Sequence, residues 1–179
     1  MKPVFIVGFM GAGKTTFGKK LAAALQRSFI DLDDRVASAM AAEMSMAETK
    51  LPLLIEKVGI DRFRDYERDV LVNGEWGDAV VSTGGGTPCF YENMDWMKDA
   101  GVVVFLNTPH EIILGRLRQS NLAERPLLRG LDDTALKNKI TAMLAERLPH
   151  YQKAHLTFHP ATETIGELAT GILAMEATI

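Results

Sequence analysis

One cysteine in 179 residues, Cys89, leaves no pair for an internal disulfide, which excludes a disulfide-stapled secreted scaffold and fits a reducing compartment. No apolar run approaches the roughly 18 residues that a membrane-spanning helix needs. The N-terminal stretch MKPVFIVGFMG runs straight into glycines and a lysine and lacks a signal-peptide cleavage pattern, so a cytoplasmic location is expected. Positive charge is not in excess either: Lys and Arg number 20 against 23 Asp and Glu, a net charge of -3, which gives no footprint for nucleic acid. The four histidines, His110, His150, His155 and His159, have no metal-ligand spacing. There is no repeat, low-complexity tract or linker. What remains is ordinary for a globular chain, 47% hydrophobic and 24% charged, and its length suits one domain, 1–179, with a sizeable core.

Short apolar runs alternate with helical patterns. VFIVG (4–8), SFIDLD (28–33), AVVST (79–83), VVVFL (102–106) and HLTFH (155–159) read as strands. Helices are expected over 14–26, over 34–73 with breaks near Pro52 and Gly59, and over 109–119, 132–148 and 163–176. Nearly all-apolar strands between helices imply an α/β fold in three layers, with a five-stranded parallel sheet covered on both faces. Ligands of such sheets sit beyond the carboxyl ends of the strands.

The segment after the first strand is GFMGAGKTT (8–16). It fits G-x-x-x-x-G-K-[ST] through Gly8, Gly13, Lys14 and Thr15, with a strand before it and a helix after. Backbone N–H groups over Gly11, Ala12, Gly13 and on to Thr16 are placed to cradle phosphate oxygens at a helix N-terminus. Lys14 is placed for the β- and γ-phosphates and the Thr15 hydroxyl for Mg²⁺. A dinucleotide fingerprint needs G-x-G-x-x-G, whereas the glycines here at 8, 11 and 13 run in the opposite order. The stretch therefore points to a nucleoside triphosphate with magnesium and leaves the acceptor open.

The acceptor side has several candidates. The second strand ends in DLDD, which sets Asp31 and Asp33 at a strand end, one free to serve a metal and the other a hydroxyl. The same residues suit a helix N-cap and an acidic first turn, and both uses can hold. STGGGTP (82–88) carries three glycines in a row, Gly84, Gly85 and Gly86, which serve either a tight turn or a close approach to bare backbone. In DRFRDYERDV (61–70), Arg64 and Glu67 are spaced to pair; taken alone, such a helix reads first as a salt-bridged solvent face. RLRQSNLAERPLLR (116–129) holds four arginines, and residues 120–131 read as a mobile lid that brings charge to a transferring phosphoryl group. Arg147, near a helix end in ERLPHY, is by itself a routine partner for the helix dipole. Cys89 and the methionine-rich stretch 40–46 read as structural.

Together GFMGAGKTT, DLDD, FRDYE, TGGGTP, RPLL and ERLPHY, in this order over nearly the whole chain, resemble the shikimate kinases, small relatives of the nucleoside monophosphate kinases. The resemblance implies a P-loop kinase with strand order 2-3-1-4-5, acting as a monomer on ATP and shikimate with Mg²⁺. It implies that Asp33 orients or deprotonates the attacking hydroxyl and that Arg64, held by Glu67, clamps the substrate carboxylate with Arg147. Gly84, Gly85 and Gly86 would lie against the substrate, and Asp31 would reach Mg²⁺ through water. Arg125 would descend with the lid, and Arg118 would lie along the adenine. Three departures stand out. The stretch between Asp34 and Pro52 is longer than usual, which predicts displaced substrate-side helices. Ile60 precedes DRFR where the family commonly has glutamate, and HPATET (159–164) lacks an arginine often found near the adenine. The rivals are a gluconate-type or other small-metabolite kinase on the same fold and an ATP-binding regulatory module with a decayed acceptor site.

Overall fold

The computed structural model describes residues 1–47, 50–122 and 127–177. Five parallel strands form one sheet: β1 (Val4–Val7), β2 (Phe29–Asp31), β3 (Val80–Ser82), β4 (Val102–Leu106) and β5 (Leu156–Phe158), in the order β2-β3-β1-β4-β5. Every residue of β1, β3 and β4 is buried, as expected of strands covered on both faces. Eight α-helices are described: α1 (Lys14–Leu25), α2 (Leu32–Glu43), α3 (Leu51–Val58), α4 (Ile60–Asn73), α5 (Asn93–Ala100), α6 (His110–Gln119), α7 (Asp133–Tyr151) and α8 (Ile165–Glu176). Among the described residues, no helix is long and apolar enough to cross a membrane.

Alternation along β1 fixes the layers. Phe5 packs edge-on to Trp96 of α5 at 6.0 Å between ring centres, while its neighbour Ile6 faces Gly18 of α1. Adjacent strand residues point to opposite faces, so α1 and α5 cover opposite sides of the sheet. A Cβ on Gly18 would stand 2.6 Å from the Phe29 ring, so this glycine lets α1 lie close on the sheet. Arg27 joins the N-terminal segment to α8: its guanidinium donates to the Lys2 carbonyl at 3.1 Å and to both carboxylate oxygens of Glu176 at 2.8 and 2.6 Å.

Register decides what meets at the carboxyl edge. Ile6 pairs with Ser82, and Asp31 also pairs with Ser82. The segments that follow β1, β2 and β3 therefore emerge side by side, bringing the glycine loop, the acidic pair and the glycine triplet together.

The elements differ from the sequence expectation at three places. β2 ends at Asp31 rather than 33, and α2 starts at once. α5, over NMDWMKDA, had no sequence expectation; it is short and polar, and its signal is Met94 and Met97 buried at i, i+3. α7 continues to Tyr151 through Pro149, where a stop was expected at 148.

Candidate active site

The phosphate cradle is shaped by its glycines and by bonds that draw its carbonyls outward. Gly8 and Gly13 have φ of 146° and 97°, a region closed to most L-residues, and a Cβ on Gly8 would sit 2.9 Å from the Leu106 carbonyl oxygen. The Ala12 carbonyl accepts from Thr108 Oγ1 at 2.9 Å and from Arg116 Nη1 at 2.7 Å. Arg116 also donates to the Gly11 carbonyl at 3.1 Å. α1 then starts at Lys14 with no side-chain cap and no acid in its first turn, which leaves its N-terminal N–H groups suited to an anion. Lys14 does not stand out in solvent: it is buried, and its Nζ donates to the carbonyls of Gly8 and Phe9 at 2.9 and 3.0 Å.

Asp31 and Asp33 do not both belong to the strand end as expected. Asp31 caps α2, accepting from the Asp33 backbone N–H at 3.1 Å through Oδ1, while its Oδ2 accepts from Thr15 Oγ1 at 2.9 Å. Asp33 lies in the first helical turn, where its side chain reaches the pocket wall. Burial, and after it the nearby Glu67 and Asp31 carboxylates, push the Asp33 carboxyl up to about 6 against the opposing pull of Lys14 and Arg64.

The glycine triplet answers to the protein itself. None of the three has a positive φ, so a left-handed turn is not the reason for them. A Cβ on Gly84 would stand 2.9 Å from both Asp33 Oδ1 and Glu67 Oε1, and one on Gly85 would stand 2.9 Å from the Met10 backbone N. One on Gly86 would collide with the Arg64 guanidinium. The bare backbone lets the acidic pair, the phosphate loop and the arginine close up around one point.

The solvent-face reading of Arg64 and Glu67 is overturned by burial: they are 8% and 0% exposed. Arg64 Nη1 donates to Glu67 Oε2 at 2.6 Å, and its guanidinium lies 4.4 Å from the Phe90 ring centre. Its buried Nε has no acceptor among the described residues. Arg147 is also buried, donating to the Gly85 carbonyl at 3.3 Å, and Tyr151 donates to the same oxygen at 2.6 Å. Burial raises the Cys89 thiol to about 11, in keeping with a structural role.

Two cavities meet here. One, about 360 Å³, is lined by the glycine loop, Lys14, Thr15, Asp31, Asp33 and Arg116. The other, about 320 Å³, is lined by Arg64, Arg147 and the glycine triplet, with an apolar wall from Leu51, Ile55 and Phe63. Met10, Asp33 and Gly85 line both. A third cavity, about 570 Å³, runs from Gly13 and Arg116 to Phe158 and Pro160. α3, just beyond the long stretch before Pro52, supplies one wall of the second cavity.

Arg125 lies outside the described residues, as do Ala123, Glu124 and Pro126. The chain just beyond is docked: Leu127 lines the second cavity, Leu128 is fully buried, and Arg129 pairs with Glu56 of α3 at 2.6 Å. Arg118 lines none of these cavities; it makes two bonds to the Asp133 carboxylate, at 2.5 and 2.6 Å. Sequence reasoning did not single out Arg116, Thr87 or Tyr151. Their roles depend on which long-range carbonyl or carboxylate they meet, and no local pattern encodes that.

The family model for shikimate kinase matches residues 10–176. A shikimate kinase of Phocaeicola vulgatus is 42% identical over 159 residues, covering 88% of this chain and 86% of its own. One of Bacteroides thetaiotaomicron is 40% identical over 160 residues, covering 89% and 87%. Among solved structures, the shikimate kinase of Acinetobacter baumannii in complex with shikimate aligns with a TM-score of 0.77 at 33% identity, covering 99% of this chain and 94% of the other. The B. thetaiotaomicron crystal structure gives 0.75 at 34% identity, covering 99% of both. Phosphate loop, sheet order and kinship agree, and the chain belongs to the shikimate kinase family.

Proposed function

We propose the following division of labour for the family's reaction in this chain, a single kinase domain over 1–179. The chain is an ATP:shikimate phosphotransferase, converting shikimate to 3-phosphoshikimate in the biosynthesis of chorismate and the aromatic amino acids. The glycine loop, from Gly11 to Thr16, wraps the phosphates of ATP. Lys14 exchanges its bonds to the Gly8 and Phe9 carbonyls for the β- and γ-phosphate oxygens. Adenine occupies the third cavity, between Arg116 and Pro160. Arg116 takes the place expected for Arg118, which Asp133 holds away. Shikimate occupies the second cavity, with its carboxylate on Arg64 and Arg147 and its ring against Gly84, Gly85 and Gly86. The lid, about 120–131, brings Arg125 onto the transferring group.

The Thr15 hydroxyl and the Asp31 carboxylate, 2.9 Å apart beside the cradle, suit Mg²⁺. No group of three or more His, Cys, Asp or Glu placed for a metal occurs among the described residues. That suits an ion that keeps its waters and takes phosphate oxygens, with Thr15 as direct ligand and Asp31 acting through water. When bound, Mg²⁺ neutralises charge on the phosphates. Asp33 stands where the two cavities join, so it orients the attacking hydroxyl and takes its proton. Action as a monomer and a cytoplasmic location, which the single cysteine suits, complete the reading.

The observation that carries the acceptor assignment is the buried Arg64 Nε without an acceptor among the described residues, on a guanidinium that lines the second cavity. A buried donor with no acceptor is a costly thing to leave, and a carboxylate supplies what it lacks. Coupled ADP release with shikimate as acceptor tests this. Arg64→Lys keeps the charge and loses the fork, so the KM for shikimate rises while that for ATP stays. An unchanged shikimate KM, or faster turnover of gluconate than of shikimate, overturns the assignment.

A further inference from the structure

We infer that Thr87 is a positioning residue for carboxylate capture: its hydroxyl sets the rotation of Glu67, and Glu67 sets Arg64. This rests on the assignment of Arg64 to the substrate carboxylate. Glu67 is fully buried, and each of its oxygens has its own donor. Oε2 accepts from Arg64 Nη1 at 2.6 Å, and Oε1 accepts from Thr87 Oγ1 at 2.5 Å. One bond alone would leave the carboxylate free to turn about its last torsion, which is broad and soft. The second bond, at the opposite oxygen, holds its plane and so the direction in which it draws the guanidinium.

Thr87 is itself held. It is fully buried, and its carbonyl accepts from Asn93 Nδ2 at 2.9 Å. Asn93, also fully buried, accepts from Arg68 Nη1 at 2.9 Å through Oδ1. Arg68 adjoins Glu67 on α4, so the bonds close into a ring of Glu67 and Arg68 on the helix, Thr87 after the glycine triplet and Asn93 at the start of α5, with Arg64 held from Glu67. No member of the ring depends on a bound ligand. The ring ties α4 to the strand-end segment and leaves the guanidinium lying across Gly86, where a Cβ would collide with it. Alanine at 87 would serve the turn equally well but would leave a buried carboxylate oxygen without its donor. The hydroxyl therefore acts on Glu67 rather than on the turn.

The test is Thr87→Val, which keeps the shape and removes the hydroxyl, assayed with shikimate and with its carboxamide analogue. The KM for shikimate is expected to rise about tenfold, the low end of what loss of a hydrogen bond to a buried charge produces. The ATP KM and the turnover at saturation stay near wild type. The preference for carboxylate over carboxamide shrinks by a similar factor, which loosened folding alone would not do, and Thr87→Ser restores it. If Thr87→Val does not fold, Thr87→Ala against Thr87→Ser gives the same comparison. An unchanged shikimate KM, or a raised one with the carboxylate preference intact, overturns the role of Thr87. A wild-type enzyme that turns over the carboxamide as well as shikimate overturns the Arg64 assignment, and this role with it.

Discussion

Asp33→Asn is expected to slow the enzyme and stabilise its fold together. The Asp33 carboxyl is held at about 6 in the folded protein against an ordinary 3.8, because it is buried beside Glu67 and Asp31. The folded state then binds this proton more tightly than the unfolded chain does, so stability falls as pH rises from about 4 to about 6. The cost is absent below that window and complete above it. At about 1.4 kcal/mol per unit, a two-unit shift has an upper bound on the order of 3 kcal/mol. Solvent in the open pocket cuts this to about 1–2. The dipole of α2, which favours an acid in the first turn, takes back about 0.3–1 kcal/mol. A net gain on the order of 1 kcal/mol remains, or about 2–4 °C in Tm for a chain of this size. Melting Asp33→Asn and wild type in parallel from about pH 8 to about pH 5 should show the variant melting higher at the alkaline end, with the gap closing toward the acid end. Turnover of the variant should fall by roughly 10²–10⁴ if Asp33 takes the proton, and less if it only orients the hydroxyl. The wild-type kcat/KM should rise through about pH 6 as Asp33 ionises, and that limb should vanish in the variant. A variant that melts lower than wild type at about pH 8, or a gap that ignores pH, would refute the account of Asp33 as a carboxylate under strain.

Lys14→Met should lower turnover by roughly 10²–10³, from the charge lost on the phosphates, and should also lower Tm in the empty enzyme, since Lys14 ties the Gly8 and Phe9 carbonyls; near-normal turnover in a steady-state assay would remove the loop from the mechanism. Gly85→Ala should cost about 1–3 kcal/mol in chemical denaturation and impair use of both substrates, because its Cβ meets the Met10 backbone rather than a yielding side chain. Wild-type stability together with wild-type kinetics in that variant would show that the phosphate loop and the triplet do not touch.

The sequence by itself determined the sheet, the cradle and the kind of reaction. Buried strands read directly as apolar runs, and a glycine-rich loop between strand and helix has few other uses. The motif order was enough to identify the family and to single out Asp33, Arg64 and Arg147, which the structure brings to adjoining cavities. It did not determine burial. Arg64 and Glu67 sit at the spacing of any exposed helical pair, and only the packing of α4 against the segment after β3 withdraws them from water. Nor did it say what the glycine triplet meets, since the partners at Gly84, Gly85 and Gly86 come from α2, α4 and the phosphate loop. Arg116 and Arg118, two positions apart on α6, also part company only in the structure, one bonding the Gly11 and Ala12 carbonyls and the other the Asp133 carboxylate. Local pattern encodes period and composition. Which carboxylate turns toward which guanidinium is settled where distant segments meet, and there the tertiary structure decided it.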